Sequence, residues 1–510
     1  KSGTGTLTLS GANTFSGGLS VGPTAATATT VNLGASSTLG VSAGKQIRVG
    51  NNGASGNASQ TLNANGVVTN AGSLYVGRPG ILNINSGATW TQSGDMSVNG
   101  QGGYASDMNV LSGASFTYSG TSTIKLEPAS GNAGNATLDI SGTFTTAKGF
   151  ERTVATSTGN GTVTLLGGTL KLSANVPALT TGNVLFALGT GGGTIDTNGF
   201  NGTIAAAISG GDTLTKTGAG TLIIDGNNTY SGATSVQNGT LGGKGAAASI
   251  VSVASGASIA PGASVGTFSC AGATFASGST LAVEINSTTA TADKLTASGA
   301  VNITGANITF AEIGSGIITA GTKLTILDYT GTTLTGTFTG YAEGATVTAG
   351  ANSFTLSYVD SNKVTLTSTT SASPYASWAT AKGLDGTPGK DPAFDADPDG
   401  DGYDNGLEWI LGGNPLSGAD GALVQATATA AGGLTLTFNR EEDSIGHATL
   451  TVVIDTDLVG PWTPFATIGA TSAGPVTINT TPDPDAVSVT IPASNAVGGK
   501  LFGRLMATQP

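Results

Sequence analysis

The chain has 510 residues and a formal net charge of −12, with 9% charged residues and 82 glycines. Glycine without a three-residue period excludes a collagen-like helix, and the low charge excludes a typical disordered chain. No Lys/Arg cluster is present, which argues against nucleic acid as a partner. No run of roughly 18 apolar residues predicts a membrane-spanning helix. A β-rich protein with many tight turns fits this composition, and the lone Cys270 is expected to face its core.

The first part of the chain repeats itself. Residues 1–21 read KSGTGTLTLSGANTFSGGLSV and residues 216–236 read KTGAGTLIIDGNNTYSGATSV, with 12 of 21 positions identical and no gap. Weaker copies, such as GTVTLLGGTLKLSAN, place short alternating runs between glycine turns. Units of about 20–25 residues with this pattern predict a β-solenoid, in which stacked coils share one core. Thr and Asn at equivalent positions are expected to form side-chain ladders along the stack.

The motif K-x-G-x-G-T-L-x-x-x-G-x-N-T-[FY]-S-G in both copies resembles the autotransporter-associated β-strand repeat of bacterial secreted passenger domains. Residues 254–368 resemble the closing part of such proteins, and they contain the predicted turn APGASVGTF. The resemblance covers roughly residues 1–370. It implies a right-handed parallel β-solenoid that is secreted and adhesive or structural. We therefore expect a solenoid domain over 1–370, with a closing β region over about 280–370.

Acidic residues are unevenly distributed, with 14 in residues 1–370 and 16 in residues 371–510. A segment rich in Pro, Gly and Asp follows the solenoid, and we predict a linker over 371–421. Within it, DPDGDGYDNGLE at 397–408 fits the pattern D-x-D-x-D-G-x5-E of an EF-hand-type calcium loop. The NGLEWILGG stretch that overlaps its end is the one short helix that this region predicts.

Calcium prefers six to eight oxygen ligands, and alternate residues in a tight turn can direct carboxylates to one centre. Gly402 would make the sharp turn, and the segment resembles calcium-binding linkers of the thrombospondin type 3 and dockerin type. The alternative is a solvated acidic linker, although five carboxylates in twelve residues would repel one another without a cation. The predicted ligands of Ca²⁺ are Asp397, Asp399, Asp401, the carbonyl of Tyr403, Asn405 and Glu408.

Residues 422–510 alternate again and predict a small antiparallel β-sandwich. They resemble C-terminal β modules of bacterial secreted repeat proteins, and DTDLVGPWTPFATI is their distinctive stretch.

The sequence predicts no catalytic centre. His447 is the only histidine and is expected at the surface, and no Cys/His set could hold zinc. The serious enzyme alternative is a polysaccharide-active β-helix with paired carboxylates, since pairing across coils stays possible. Trp90, Tyr104 and Tyr118 are interpreted as wall residues of the solenoid rather than as a sugar-stacking face.

The function that we predict is an extracellular structural protein. The first strand pattern, GTGTLTL, lies within five residues of Lys1, and an uncovered coil is a template for another chain. We therefore expect the protein to bind itself head-to-tail in a filament, matrix or surface layer, secreted after removal of a signal peptide. The alternative is an adhesin, in which the solenoid is a stalk and the sandwich binds a glycan, a protein or another cell-surface component.

Overall fold

The computed structural model describes the chain except for residues 23–26, 51–57, 101–102, 128–133, 154–157, 331–332, 371–372, 420, 482 and 510. Two compact units are present, Lys1–Thr370 and Ser371–Pro510. The first is a parallel β-solenoid of about 11 turns, and the second contains antiparallel sheets, so the predicted all-β class is confirmed. No described helix is long and apolar enough to cross a membrane.

Three sheets of mainly parallel strands form the faces of the first coils, and a fourth sheet contains strands of the later coils. Sheet 1 contains Thr6–Leu9, Thr29–Leu33, Gln60–Ala64, Gly80–Ile84, Ser106–Val110, Ala136–Ile140, Gly161–Leu165, Leu185–Leu188 and Ile208–Gly210. Sheet 2 contains Ala12–Phe15, Thr38–Val41, Val67–Asn70, Thr89–Gln92, Ser115–Tyr118, Thr143–Thr146, Thr169–Leu172, Gly193–Asp196, Leu214–Thr217, Thr234–Val236, Ala246–Val253, Thr267–Phe275, Lys294–Ala297, Val301–Asn302, Lys323–Asp328, Leu334–Thr335, Thr346–Ala349, Asn352–Asp360 and Lys363–Ser368.

The remaining faces are shorter. Sheet 3 contains Leu19–Val21, Gln46–Val49, Ser73–Val76, Met96–Val98, Ile124–Leu126, Phe150–Glu151 and Thr180–Thr181. Sheet 4 contains Gly202–Ile204, Thr221–Ile224, Thr240–Gly243, Ser258–Pro261, Thr280–Asn286, Thr291–Ala292 and Asn307–Ile313.

Alternation of small polar and apolar residues explains the strands, because successive side chains point to opposite faces. In Gln60–Ala64 the burial alternates, with Leu62 and Ala64 fully buried. Aromatic rings stack inside from coil to coil, with centroids 6.0 Å apart for Trp90 and Phe116 and 4.9 Å apart for Phe116 and Phe144. Trp90 and Tyr118 are buried, which agrees with their interpretation as residues of the solenoid wall.

The predicted asparagine ladder is present on the outer side of sheet 1. The Nδ2 group of Asn63 donates to Oδ1 of Asn32, that of Asn83 to Asn63, and that of Asn109 to Asn83, each over 2.8 Å. These residues occupy equivalent positions of four successive strands. Each side-chain amide therefore donates a hydrogen bond to the amide of the neighbouring coil, and the ladder joins the coils through uncharged groups.

The repeat lysine closes a turn with its ammonium group. Lys1 Nζ donates to the carbonyls of Ser2 and Gly3. At the equivalent place in the second copy, Lys216 donates to the carbonyls of Thr217 and Gly218 over 2.8 and 2.7 Å. The motif K-x-G thus corresponds to one local structure.

Lys216 is more deeply enclosed than its counterpart, since it is fully buried and also donates to Thr197 Oγ1 and to the carbonyl of Asn238. Burial lowers the pKa of Lys216 to about 8, against the opposing charge of Asp196.

The pairing changes direction in the closing region. Lys323–Asp328 pairs antiparallel with Lys363–Ser368, which pairs antiparallel with Asn352–Asp360, and Thr346–Ala349 adds a further antiparallel strand. These strands follow the last parallel coils and pair with them on sheet 2, because Lys323–Asp328 also pairs parallel with Lys294–Ala297.

Two antiparallel sheets share one core in the second unit. One sheet has the order Val424–Ala428, Leu434–Arg440, Asp485–Ile491, Val476–Asn479, and the other has Thr463–Ile468, Thr449–Asp455, Phe502–Thr508. Two helices, α1 (Pro374–Ala381) and α2 (Asn405–Leu411), and 3-10 turns at Glu442–Ser444 and Ala493–Asn495 complete the unit. The predicted short helix is α2.

The segment interpreted as a linker contributes to this core, through residues such as Tyr375 and Trp409. Helix α1 was not expected there. Its signal is local, since the Ser373 side chain caps the helix by accepting from Ala376 N and Pro374 occupies the first turn.

Arg440 connects the two sheets. Its Nη2 atom lies 2.5 Å from Oδ2 of Asp485, and both side chains are at most 4% exposed. Its Nη1 atom donates to the carbonyl of Gly469, which follows a strand of the other sheet.

Candidate metal site

Three of the predicted calcium ligands come together in the 397–408 loop. Asp397, Asp399 and Asp401 each offer a carboxylate oxygen within 4.8 Å of the others. Two oxygens that bind one Ca²⁺ at about 2.4 Å cannot be more than about 4.8 Å apart, so the spacing is compatible with a shared ion. Exposed acidic groups also cluster without metals, and calcium binding stays a prediction.

The loop backbone folds around these carboxylates. Asp397 accepts from the backbone N–H groups of Gly400 and Gly402 through its two oxygens, over 2.9 and 3.0 Å. Asp399 and Asp401 each accept from the backbone two residues later. Gly402 has a φ of 93°, a conformation that favours glycine, at the position where the sequence predicted the sharp turn.

One carboxylate oxygen of the cluster is left without a partner. Oδ2 of Asp399 is buried and makes no hydrogen bond to the described residues. Burial raises the pKa of Asp399, and the charges of Asp401 and Asp397 raise it further. A buried acceptor without a donor is costly. A divalent cation would satisfy this oxygen and offset the repulsion, so the donor set fits calcium.

The other predicted ligands lie at the start of α2. Asn405 is fully buried and donates from Nδ2 to the carbonyls of Asp391 and Ala393, over 2.8 and 2.7 Å, while its Oδ1 atom accepts no hydrogen bond from the described residues. Glu408 is fully buried in the first turn of α2. Among the described carboxylates, the cluster comprises the three aspartates and not Glu408.

Asp404, outside the predicted ligand set, has an evident structural role. Its side chain caps α2 by accepting from Leu407 N over 2.8 Å. Sequence reasoning did not predict this cap, although an aspartate directly before a helical segment is its usual signal.

An aromatic cluster packs next to the loop, between α1, α2 and the segment that precedes the loop. The ring of Tyr375 lies 4.9 Å from that of Phe394 and 5.4 Å from that of Trp409, centroid to centroid. The Tyr375 hydroxyl donates to the carbonyl of Pro392 over 2.9 Å. Gly406 has no room for a side chain, because a Cβ atom would overlap the Phe394 ring. The Phe394 ring can thus pack directly against the backbone of α2 because residue 406 is a glycine.

The residues weighed for catalysis lie apart from this loop or at the surface. His447 is exposed, and Cys270 is buried, where burial raises its thiol pKa to about 11. On the outer side of sheet 1, burial and the charge of Asp107 raise the pKa of Asp139, and Thr164 bonds its carboxylate. Asp107 and Asp139 are thus one pair of neighbouring carboxylates on which the enzyme alternative can be tested.

The sequence comparisons bear on the solenoid. Residues 1–34 and 214–242 match the family described as Passenger-associated-transport-repeat. Both stretches include a copy of the lysine-glycine motif. No curated protein matches the chain significantly.

The parallel coils and their repeats define a passenger-type β-solenoid. The chain carries the passenger-associated transport repeat of autotransporter-type proteins, and the resemblance seen in the motif is confirmed.

Proposed function

We propose that this protein is an extracellular structural component that assembles head-to-tail into a filament, matrix or surface layer. The observation that supports the proposal is the continuity of the solenoid. Its buried apolar residues form one cluster from Leu19 to Leu366, with in-register strand pairing along the stack. A repeat array of this kind resists bending because each coil contacts its neighbours along whole strands. Secretion agrees with the passenger-type repeat.

The closing region limits how copies could join. Its antiparallel strands already pair with the last parallel coils, so one copy cannot simply continue the coils of another at this place. We propose instead that the C-terminal unit, or an extended strand, of one copy covers a coil edge of the next. Contacts of this heterologous type that do not close make fibres.

We propose that Ca²⁺ binds in the loop and stabilises the C-terminal unit in the assembly. The supporting features are the aspartate cluster and the unsatisfied oxygen of Asp399. The ligands would be Asp397, Asp399, Asp401, the carbonyl of Tyr403, Asn405 and Glu408. When bound, the ion would neutralise carboxylates that otherwise repel one another.

Negative-stain electron micrographs of the purified chain, in millimolar calcium and after chelation, test both proposals. We expect long filaments in calcium and their loss or loosening on chelation. Glu408→Gln should behave in calcium like the chelated protein, whereas Glu442→Gln, an exposed acid of the same unit, should behave like the unmodified chain. Single particles under both conditions would refute assembly. Filaments that are unchanged both after chelation and in the Glu408→Gln variant would refute the calcium proposal.

The closing strands favour a second candidate, an adhesin. An array whose last sheet 2 strands already pair with closing strands suits a stalk that ends in a module rather than a continuous polymer. An adhesin would stay monomeric at high concentration and bind a glycan or a cell-surface component, which sedimentation and glycan-binding assays distinguish from assembly.

A further inference from the structure

Basic residues of the solenoid concentrate on sheet 3. All three arginines of residues 1–370 lie in its strands or directly after them. The strands and their flanking turns carry six basic side chains against three acidic ones, although residues 1–370 as a whole hold 13 basic and 14 acidic residues. The basic residues are Lys45, Arg48, Arg78, Lys125, Lys148 and Arg152, and the acidic residues are Asp95, Glu127 and Glu151.

Two of the arginines stack on tyrosines of the next coil. The guanidinium carbon of Arg48 lies 4.8 Å from the ring centroid of Tyr75, and that of Arg78 lies 4.7 Å from the centroid of Tyr104. Arg48 and Tyr75 are register partners in adjacent strands. All four side chains are half-buried and partly open to solvent. We call these four residues the arginine–tyrosine row.

Neither guanidinium of the row is neutralised by an acid. Within the described chain, no carboxylate lies within 4.0 Å of Arg48 or Arg78, whereas Lys125 pairs with Glu151 at 4.0 Å. The Nε atoms of Arg48 and Arg78 are buried and make no hydrogen bond to the residues that the structure describes. Ring stacking thus contributes to holding both cations in place, and no described carboxylate pairs with either of them.

The basic residues of sheet 3, which include the arginines of the row, are arranged like a site for a linear polymer. Parallel strands are about 4.8 Å apart, so the basic positions from Arg48 to Arg152 extend over about 19 Å, four strands along the axis. Planar guanidinium groups match carboxylates in two-pronged hydrogen bonds. Half-open aromatic rings offer an apolar surface to the C–H faces of sugars.

We propose that the outer side of sheet 3 binds a linear polysaccharide that carries carboxylate groups, lying along the solenoid axis. Arg48 and Arg78 would bind the carboxylates, and Tyr75 and Tyr104 would pack against the sugar rings. The proposal is independent of head-to-tail assembly and of calcium.

The acidic C-terminal unit of a second copy is the competing occupant. That unit has 16 acidic and five basic residues, so its charge is also complementary. Its densest acidic stretch, however, is a compact loop of twelve residues, which would meet one or two coils. Basic positions that extend from Arg48 to Arg152 along the axis are better matched by an extended polymer, and we therefore favour the polysaccharide.

Isothermal titration of the full chain with hyaluronate, a linear glucuronate-containing polysaccharide, tests the proposal, with dextran as the neutral polymer. We expect binding to hyaluronate and not to dextran. Arg48→Gln with Arg78→Gln should weaken hyaluronate binding about tenfold or more, since a charge-assisted hydrogen bond contributes at least that factor. Lys171→Gln, a half-exposed lysine of sheet 2 that pairs with Asp196, should leave the affinity unchanged.

Other outcomes would refute the polysaccharide site or assign the arginine–tyrosine row to another partner. Equal binding by the double variant and the unmodified chain would overturn it, as would equal binding of dextran. Self-association that the double variant abolishes, seen by sedimentation without any hyaluronate binding, would assign the row to a second copy. If the double variant unfolds at a lower temperature, Tyr104→Ala is measured instead, and unchanged affinity in a folded Tyr104→Ala protein would refute the stacking role.

Discussion

The two units of the chain are stabilised in different ways. The solenoid relies on repetition, because the same strand pairings, asparagine bonds and ring stacks recur from coil to coil. The C-terminal unit relies on contacts that occur once, such as the Arg440–Asp485 pair, the aromatic cluster next to the loop and the aspartate cluster. Single substitutions should therefore affect the C-terminal unit as a whole and the solenoid only locally.

The difference also concerns charge. The C-terminal unit contains a buried ion pair and a cluster of like charges, whereas the coil-to-coil ladder of sheet 1 is made of neutral amides. Salt and divalent cations should consequently act mainly on the C-terminal unit. Hydrogen exchange followed by mass spectrometry on the full chain can separate the two responses, because it reports local opening.

Breaking the buried ion pair should have the largest effect. Arg440→Met leaves the carboxylate of Asp485 buried without its partner, and removal of one member of such a pair costs about 3–5 kcal/mol. We expect peptides from both C-terminal sheets to lose protection while solenoid peptides keep theirs. The control Arg504→Met changes an exposed arginine that stacks on Trp462 and should cost far less.

The double substitution Arg440→Met with Asp485→Met sharpens this prediction. It removes both charges, and a well-packed apolar pair often restores stability. A double variant as unstable as Arg440→Met alone would show that the contact to the Gly469 carbonyl, rather than the charge, dominates.

Removal of calcium should have the next largest effect. If the loop binds Ca²⁺, a free concentration 100 times the dissociation constant stabilises the C-terminal unit by about 2.7 kcal/mol. Chelation should lower the melting temperature of this unit and leave the solenoid transition in place. A calorimetric trace that is identical with and without calcium would contradict the metal site.

Replacement of Lys216 should disrupt the solenoid near one turn. Lys216→Met removes the donor for three backbone carbonyls and one hydroxyl, and each buried acceptor left unsatisfied costs about 1–3 kcal/mol. We expect exchange to increase in residues 197–238 and not in distant coils. Lys171→Met, which changes a half-exposed lysine of the same sheet, is the control, and uniform loss of protection along the solenoid would disprove local stabilisation.

Lys216 also shows how far sequence reasoning reaches. The motif that it shares with Lys1 identified the repeat and the solenoid, because hydrophobic alternation and glycine turns are local signals. The burial of Lys216 could not be predicted, since the same motif leaves Lys1 half-exposed. Its environment depends on Thr197 and Asn238, which only the stacking of coils brings close.

The same distinction applies to the candidate sites. The aspartates of the loop were predictable because their spacing lies within twelve residues. The arginine–tyrosine row was not, because Arg48 and Tyr75 are 27 positions apart and meet only through the strand register. Helix α1 was overlooked for another reason, since its eight residues lie in a segment whose Pro and Gly content is typical of linkers.

The stability of the closing region should depend on pH through one buried carboxyl group. Asp293 is buried and accepts from the backbone N–H groups of Gly266 and Glu284, over 2.8 and 2.9 Å. Burial raises its pKa to about 6, and the charge of Glu284 adds to the rise. Between about pH 4 and this value the folded state retains a proton that the unfolded chain releases, so the free energy of unfolding falls as pH rises.

Melting curves at pH values from 4 to 7 measure this slope. Asp293→Asn resembles the protonated side chain and should remove the contribution, so that the closing region melts at nearly the same temperature across the range. A variant with the slope of the unmodified chain would place the titration on another group.

Interrupting the asparagine ladder should have the smallest effect. Asn83→Ala removes one bond to Asn63 and one from Asn109. A neutral hydrogen bond contributes about 1 kcal/mol net, and less where water can replace the lost partner. Because the ladder residues are half-buried, we expect a loss of about 1 kcal/mol, confined to the coils on either side and measurable by hydrogen exchange. A cooperative loss over many coils would instead mean that the ladder amides act as a single chain, and the solenoid would then resemble the C-terminal unit in depending on contacts that cannot be replaced singly.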